Sequence, residues 1–334
     1  MKSLKRCQVT VLGDGGWGTT LAIHLASLGH DVILWGAFSE YLKEVARKRE
    51  NRKFLPGIRI PANVCLEPGL HQAIAQSQLI VFAIPAQYLR AILGRLQGVI
   101  PKHVFLLNVA KGLERGTLKR MSEVIDEELQ LPFIATLSGP NIAREIATGH
   151  PASAVIASKQ MAVAKKIQQW ITNGRFRTYT SEDLAGVELG GALKNPLAIA
   201  AGISDGLGLG SNAKAALVTR GVVEMARLGA ALGANERTFW GLSGLGDLVT
   251  TCLSGRNHWL GEQLGKGRSL RATLKATPMV IEGVETCQAA MALARRCAVE
   301  LPIIGQVNAV LFKKRPPKTA LRLLMQRNQK AENP

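Results

Sequence analysis

Near its start the chain reads QVTVL (8–12), a short β-branched run. It continues Gly13-Asp14-Gly15-Gly16-Trp17-Gly18, then a helical pattern over 19–28 and a second apolar run over 31–34. Few sequence features narrow the choice of fold so far. Strand, G-x-G-x-x-G, helix and strand form the first βαβ half of a dinucleotide-binding sheet. Each glycine has its own task. Gly13 permits the tight turn, Gly15 lets the backbone approach a pyrophosphate, and Gly18 lets the helix pack on the sheet. The phosphates then meet unpaired N–H groups at the helix N-terminus, where the dipole also favours negative charge. The second strand ends Leu34-Trp35-Gly36-Ala37, without the Asp or Glu that usually binds a ribose 2′-hydroxyl. No Arg stands directly there, although Lys43, Arg47, Lys48, Arg49 and Arg52 follow. NAD and NADP both stay open, and the basic neighbourhood tilts slightly towards NADP.

Strand-like runs then recur at 63–66, 79–84, 104–109, 133–137 and 154–157, with helical stretches such as 86–96 and 118–128 between them. Such alternation predicts a mostly parallel sheet with helices on both faces. Ligands of such sheets bind beyond the carboxyl ends of the strands. That singles out Pro85-Ala86, Lys111 after its strand, and Ser138-Gly139-Pro140-Asn141. After a last short strand at 177–179 the composition shifts, and nearly everything from 181 to about 329 reads as helix broken by glycine clusters. Helices are expected at 213–232, 235–240, 269–275, 284–297, 304–311 and 319–326. The expected organisation is α/β: a Rossmann-type dinucleotide-binding domain over 1–180 and an all-α substrate domain over 181–334. A chain of 334 residues is long enough for two filled cores. The polar tail 328–334 is expected to fray.

The second half is organised around SEDLAGVELGGALKNPLAIAAGISDGLGLGSNAK (181–214). It reads as a long helix capped by Ser181, with Glu182 and Asp183 in the first turn. Its middle is almost all small or apolar, so other backbones can approach closely and the helix should be central. Into that run comes Lys194, followed by Asn195 and Pro196. A lysine there either snorkels to solvent or sits in a pocket with a lowered pKa. Three further pieces carry candidate chemistry: Gly241–Asp247 (GLSGLGD), Ser254-Gly255-Arg256-Asn257, and Val280-Ile281-Glu282 at a loop-to-helix start. The arginine beside an amide suits phosphate and hydroxyl recognition. Each has a plainer reading as well: Asp247 as a helix cap, Arg256 as a solvated cation, Glu282 as a dipole partner.

The formal net charge of +18 suggests nucleic acid, anionic membrane or phosphorylated small molecules as partners. Basic residues are dispersed, with clusters at 47–52 and 313–318, and aromatics are only 5%, too few for a stacking platform. A generally basic solvated surface is the better account, and no nucleic-acid partner is expected. The five cysteines form no CxxC pair and the six histidines no HExxH pattern, so neither a disulfide framework nor a metal site is expected. No apolar run reaches 18 residues and the start leads directly into a strand, so the chain is expected in the cytoplasm without integral membrane association.

Taken together, GDGGWGTTLA, NRKFLPGIRIP, NVAKGLE, LSGPNIAREI, the ELGGALKNPLAIAAGISDGLGLGSNAKAAL block, GLSGLGDLVTTC, SGRN and VIEGVET resemble the bacterial-type, NAD(P)-dependent glycerol-3-phosphate dehydrogenases from Val9 to about Leu311. The resemblance implies reversible hydride transfer between the nicotinamide and C2 of glycerol 3-phosphate, with dihydroxyacetone phosphate as keto partner. It places the catalytic lysine on Lys194. It assigns Gly16, Trp17, Lys111, Ala143, Arg256, Val280 and Glu282 to the cofactor, beside the fingerprint glycines Gly13, Gly15 and Gly18. It assigns Lys111, Gly139, Asn141, Lys194, Asp247, Arg256 and Asn257 to the substrate. A packed helix face with Lys111 or Arg256 nearby would lower the lysine pKa, while Asp247 would pull it the other way. The resemblance also implies that the product feeds phospholipid synthesis; a homodimer is expected because helical second domains often dimerise. Two departures stand out. Ala37 occupies a position where the family often carries Arg or His, and Gly255 replaces the Ser common before Arg-Asn. The nearest rival is another two-domain reductase acting on a 2-keto or 3-hydroxy acid. A rival of another class is a basic nucleic-acid-binding protein whose first domain only senses redox state.

Overall fold

The computed structural model describes residues 6–277, 279–329 and 331–332. Among these residues the strands are β1 (Gln8–Leu12), β2 (Asp31–Trp35), β3 (Val64–Leu66), β4 (Leu79–Phe82), β5 (Phe105–Asn108), β6 (Ile134–Ser138), β7 (Ala152–Ala157) and β8 (Phe176–Ser181). They form one sheet in the order β3-β2-β1-β4-β5-β6-β7-β8. Every pairing is parallel except β6 with β7. Side chains alternate between the faces of a strand. Val9, Val11 and Val81 accordingly enter one apolar core, with Leu34 and Leu107. Leu12, Ile80 and Phe82 enter the other, with Leu89 and Leu106. A strand covered on both faces has no polar side to show, and β4 (LIVF) is buried throughout. The expected mostly parallel, doubly covered sheet is what forms.

The covering helices are α1 (Gly16–Ser27), α2 (Ser39–Lys48), α3 (Leu70–Ile74), α4 (Ala86–Gly94), α5 (Met121–Leu129), α6 (Ala143–Ala147) and α7 (Met161–Ile171). Beyond β8 come α8 (Leu184–Gly206), α9 (Gly210–Ala231), α10 (Asp247–Leu253), α11 (Arg256–Gly265), α12 (Leu270–Lys275), α13 (Glu282–Arg296), α14 (Pro302–Phe312) and α15 (Pro317–Met325). A 3₁₀ turn spans Glu236–Trp240 and a wide π-type turn spans Leu242–Gly246.

Two compact units emerge. One runs up to Glu114 and resumes over Lys119–Glu188; the other comprises Arg115–Leu118 and the chain from Leu189. The division falls inside α8, because Leu184 and Val187 pack against Ala157 in the first unit. The start of α8 corrects the expected cap. Ser181 ends β8, and Asp183 takes the capping role, its Oδ1 accepting the Gly186 N–H at 2.8 Å.

In the second unit α8 is as closely approached as its composition predicts. A Cβ on Gly202 would lie 1.9 Å from the His258 carbonyl oxygen, and one on Gly261 2.0 Å from that of Ile199. Backbone therefore meets backbone where α8 crosses α11. Elsewhere in this unit the Glu224 carboxyl, 4% exposed, accepts the N–H groups of Ile303 (2.6 Å) and Ile304 (3.1 Å) at the start of α14.

Burial outweighs these two bonds and pushes Glu224 up to about 7. The folded protein then holds a proton that the unfolded chain has released, so stability is lost as pH rises from about 4.5 through about 7. Glu224→Gln cannot ionise. Thermal melts between pH 5 and 8 should show a decline in the wild type that this variant lacks, a difference of up to ~3 kcal/mol. Parallel melting curves for the two proteins would remove Glu224 as the cause.

Candidate active site

In the first unit, Gly13 bends at φ +117°, and a Cβ there would meet the Ala83 carbonyl oxygen at 2.5 Å. Gly18 lies so close to Gly13 that a Cβ would fall 1.9 Å from its oxygen. Gly16 faces the Phe54 carbonyl, whereas a Cβ on Gly15 would project into open space. No side chain caps α1 at Gly15, so its first N–H groups face that opening. The turn is fixed from behind by Asn51, whose Nδ2 donates to the Asp14 carbonyl (2.6 Å) and to Thr19 Oγ1 (2.8 Å).

Around this cradle, buried polar atoms lack protein partners: Trp17 Nε1, Asp14 Oδ2 and Asn141 Oδ1 among them. Open space at a helix N-terminus, ringed by unsatisfied buried donors and acceptors, fits a dinucleotide. Lys111 reaches across the strand ends to donate to the Gly139 carbonyl at 2.9 Å. Asn141 Nδ2 donates to Ser153 (3.3 Å), and the carbonyl of Ala143, the first residue of α6, accepts from Thr20 on α1 (3.1 Å). The first-unit site residues thus gather beyond the carboxyl ends of β1, β5 and β6.

The second unit gathers the others around α8. Lys194, 7% exposed, places Nζ 2.7 Å from Oδ1 of Asp247, itself 1% exposed. The same Nζ lies 2.6 Å from Thr251 Oγ1. Asp247 and Thr251 stand four residues apart on α10 and so share a face. Pro196 has no N–H to give to the Ala192 carbonyl, which interrupts the α8 ladder beside Lys194. Asn195, the next residue, accepts from Asn257 Nδ2 at 2.9 Å, and Asn257 Oδ1 accepts the Gly283 N–H at 3.0 Å. These bonds tie α8, α11 and the start of α13 together, with Glu282 as the first residue of α13.

Arg256 is exposed, and among the described residues it is anchored by one bond, Nη1 to the Val280 carbonyl at 2.9 Å. Gly255 before it adopts φ +111°, a conformation that glycine takes without strain and serine does not. Since Arg256 opens α11 without a side-chain cap, that helix offers its own backbone N–H groups. Thr251 and Asn195 were not among the expected site residues. The D-x-x-x-T spacing after the glycine-rich turn was the signal for the first, and adjacency to Lys194 for the second.

A glycine-cradled dinucleotide fold, in a chain whose helical unit buries one lysine against an aspartate, defines a two-unit dehydrogenase of the nicotinamide-dependent kind. Models of the N-terminus and C-terminus of the NAD-dependent glycerol-3-phosphate dehydrogenases match residues 8–164 and 183–322. The chain is 46% identical over 329 residues to the glycerol-3-phosphate dehydrogenase [NAD(P)+] of Geobacillus kaustophilus, covering 97% of this chain and 96% of that one. It is 44% identical over 330 residues to that of Bacillus mycoides, covering 97% of each. The crystal structure of glycerol-3-phosphate dehydrogenase from Coxiella burnetii superposes with a TM-score of 0.92 at 36% identity, over 96% of this chain and 99% of that one. The chain belongs to the NAD-dependent glycerol-3-phosphate dehydrogenase family.

Proposed function

We propose that the protein reversibly reduces dihydroxyacetone phosphate to sn-glycerol 3-phosphate, with Lys194 as general acid in reduction and general base in oxidation. The observation that carries this reading is the buried Lys194–Asp247 pair at 2.7 Å, with Thr251 at 2.6 Å. A bound nicotinamide supplies or accepts the hydride. As the C2 carbonyl is reduced, negative charge grows on its oxygen. The Lys194 ammonium stabilises that charge and passes its proton to the oxygen. Asp247 and Thr251 fix the direction of the ammonium and accept from it between turnovers.

The substrate phosphate needs fixed cations and donors. Arg256, Asn257 and the uncapped start of α11 would supply them, and the family resemblance adds Lys111, Gly139 and Asn141. Gly13, Gly15, Gly16, Trp17, Gly18, Lys111 and Ala143 would hold the dinucleotide, and the family resemblance adds Arg256, Val280 and Glu282.

The cofactor is NAD(P). The tilt towards NADP expected from the basic α2 region loses much of its support. Lys43 pairs with Glu40, Lys48 with Glu44 and Arg52 with Glu50, while Arg49 donates to the carbonyls of Ile60, Pro61 and Val64. No helix of the described residues is long and apolar enough to cross a membrane. The proposal is completed by a cytoplasmic homodimer, with its product feeding phospholipid synthesis as the family resemblance implies. Steady-state oxidation of NADH and NADPH tests the reading. Dihydroxyacetone phosphate should be reduced far faster than unphosphorylated dihydroxyacetone or a 2-keto acid such as ketopantoate. Equal or better turnover of the keto acid would overturn the assignment.

A further inference from the structure

The strand tip of β2 ends at Trp35-Gly36-Ala37, where a dinucleotide fold ordinarily carries the carboxylate that binds the adenosine ribose. That place is nonetheless filled by a carboxylate. A Cβ built on Gly36 would lie 2.4 Å from Cγ and Oδ2 of Asp14 and 2.8 Å from its Oδ1. The side chain of Asp14 therefore occupies the volume that a β2-tip side chain would claim, delivered from the β1 turn instead. Gly36 has no positive φ that would demand glycine, so the close carboxylate is what excludes a side chain there.

We infer that Asp14 is the acceptor for the adenosine ribose 2′-hydroxyl and selects NAD(H) over NADP(H). The inference rests on the dinucleotide reading of the first unit and deepens it. Asp14 is 8% exposed, and its Oδ2 has no partner in the protein, a costly state for a buried carboxyl unless a ligand donor completes it. Its backbone is not free to swing away, since its carbonyl accepts from Asn51 at 2.6 Å and from Thr19 Oγ1 at 3.3 Å. Burial pushes its carboxyl above the usual range, and the cation acting against that is Lys53, which is exposed and lies 5.0 Å from the Phe54 ring centroid. A 2′-hydroxyl donates to this carboxylate, whereas a 2′-phosphate brings like charge against it and has no proton to share.

Equilibrium titration of the whole enzyme with NADH and, separately, NADPH tests this, followed by tryptophan fluorescence with no substrate present. The wild type should bind NADH at least about tenfold more tightly than NADPH, as one charge-assisted hydrogen bond gained or lost implies. Asp14→Asn keeps the shape and removes the charge. It should weaken NADH about tenfold and tighten NADPH, collapsing the ratio. Asp14→Gly combined with Gly36→Asp moves the carboxylate to the strand tip and should restore the NADH preference. A wild type that prefers NADPH, or a ratio that Asp14→Asn leaves unchanged while both nucleotides bind, overturns the inference. Failure of the wild type to bind either nucleotide would instead remove the dinucleotide reading, and this inference with it.

Discussion

Lys194→Ala should lower kcat for dihydroxyacetone phosphate by at least about 10³-fold, since in the proposed mechanism the residue provides both the proton and the charge that stabilises the forming alkoxide. Either role alone accounts for about 10² or more, and one ammonium performs both. The substitution also leaves the Asp247 carboxylate, 1% exposed, without its cation. Removing one partner of a buried pair costs about 3–5 kcal/mol, so the variant should melt at a lower temperature than the wild type. The double variant Lys194→Ala with Asp247→Asn removes the stranded charge. It should recover much of the lost stability and none of the activity. Recovery of activity along with stability would assign Lys194 a structural role only.

Arg256→Ala should act differently, through the phosphate. A guanidinium bound to a phosphate makes one or two charge-assisted hydrogen bonds, each contributing about 1.5–3 kcal/mol, or roughly ten- to a hundredfold in affinity. The variant should therefore lose about 10²-fold or more in kcat/KM for dihydroxyacetone phosphate. With NADH saturating, so that the proposed cofactor contact of Arg256 does not enter, the residual rate with unphosphorylated dihydroxyacetone should stay within a few-fold of the wild-type value. The Val280 carbonyl loses only an exposed partner, so little change in stability is expected. Arg256→Lys should rescue part of the loss, because a point charge replaces the charge but not the fork. An equal fall with both ketones would place Arg256 outside phosphate recognition.

Most of the fold was legible because it rests on local, periodic signals. The β1–Gly13-to-Gly18–α1 unit declares itself through residue types that the turn physically requires, and β4 through four consecutive buried residues. Three helices that escaped notice carry weak patterns. Those at Leu70–Ile74 and Ala143–Ala147 have only five residues each, and that at Ser39–Lys48 buries only Leu42 and Val45 within a highly charged sequence. The start of α8 was misplaced because Ser181 and Asp183 are both good capping residues. Only pairing of Ser181 with Ala157 in the sheet decides between them.

At the site, residue types were readable and their couplings were not. Lys194, Asp247, Arg256 and Asn257 could be singled out from the sequence. No sequence pattern shows that Nζ of Lys194 is shared between Asp247 and Thr251, or that Asn195 and Asn257 bond across 62 positions. The Asp14 carboxylate over Gly36 is of the same kind. The sequence displays a missing acid at the strand tip, and only three-dimensional placement reveals a carboxylate brought there from the turn after β1.

The central claim, that Lys194 carries the proton transfer, is tested most directly by single-turnover hydride transfer in Lys194→Ala with NADH and dihydroxyacetone phosphate both saturating. NADH binding, measured separately, should remain within a few-fold of the wild type while the transfer rate falls by at least about 10³-fold. A transfer rate within tenfold of the wild type, with both ligands bound, would contradict the account and move the proton to another group.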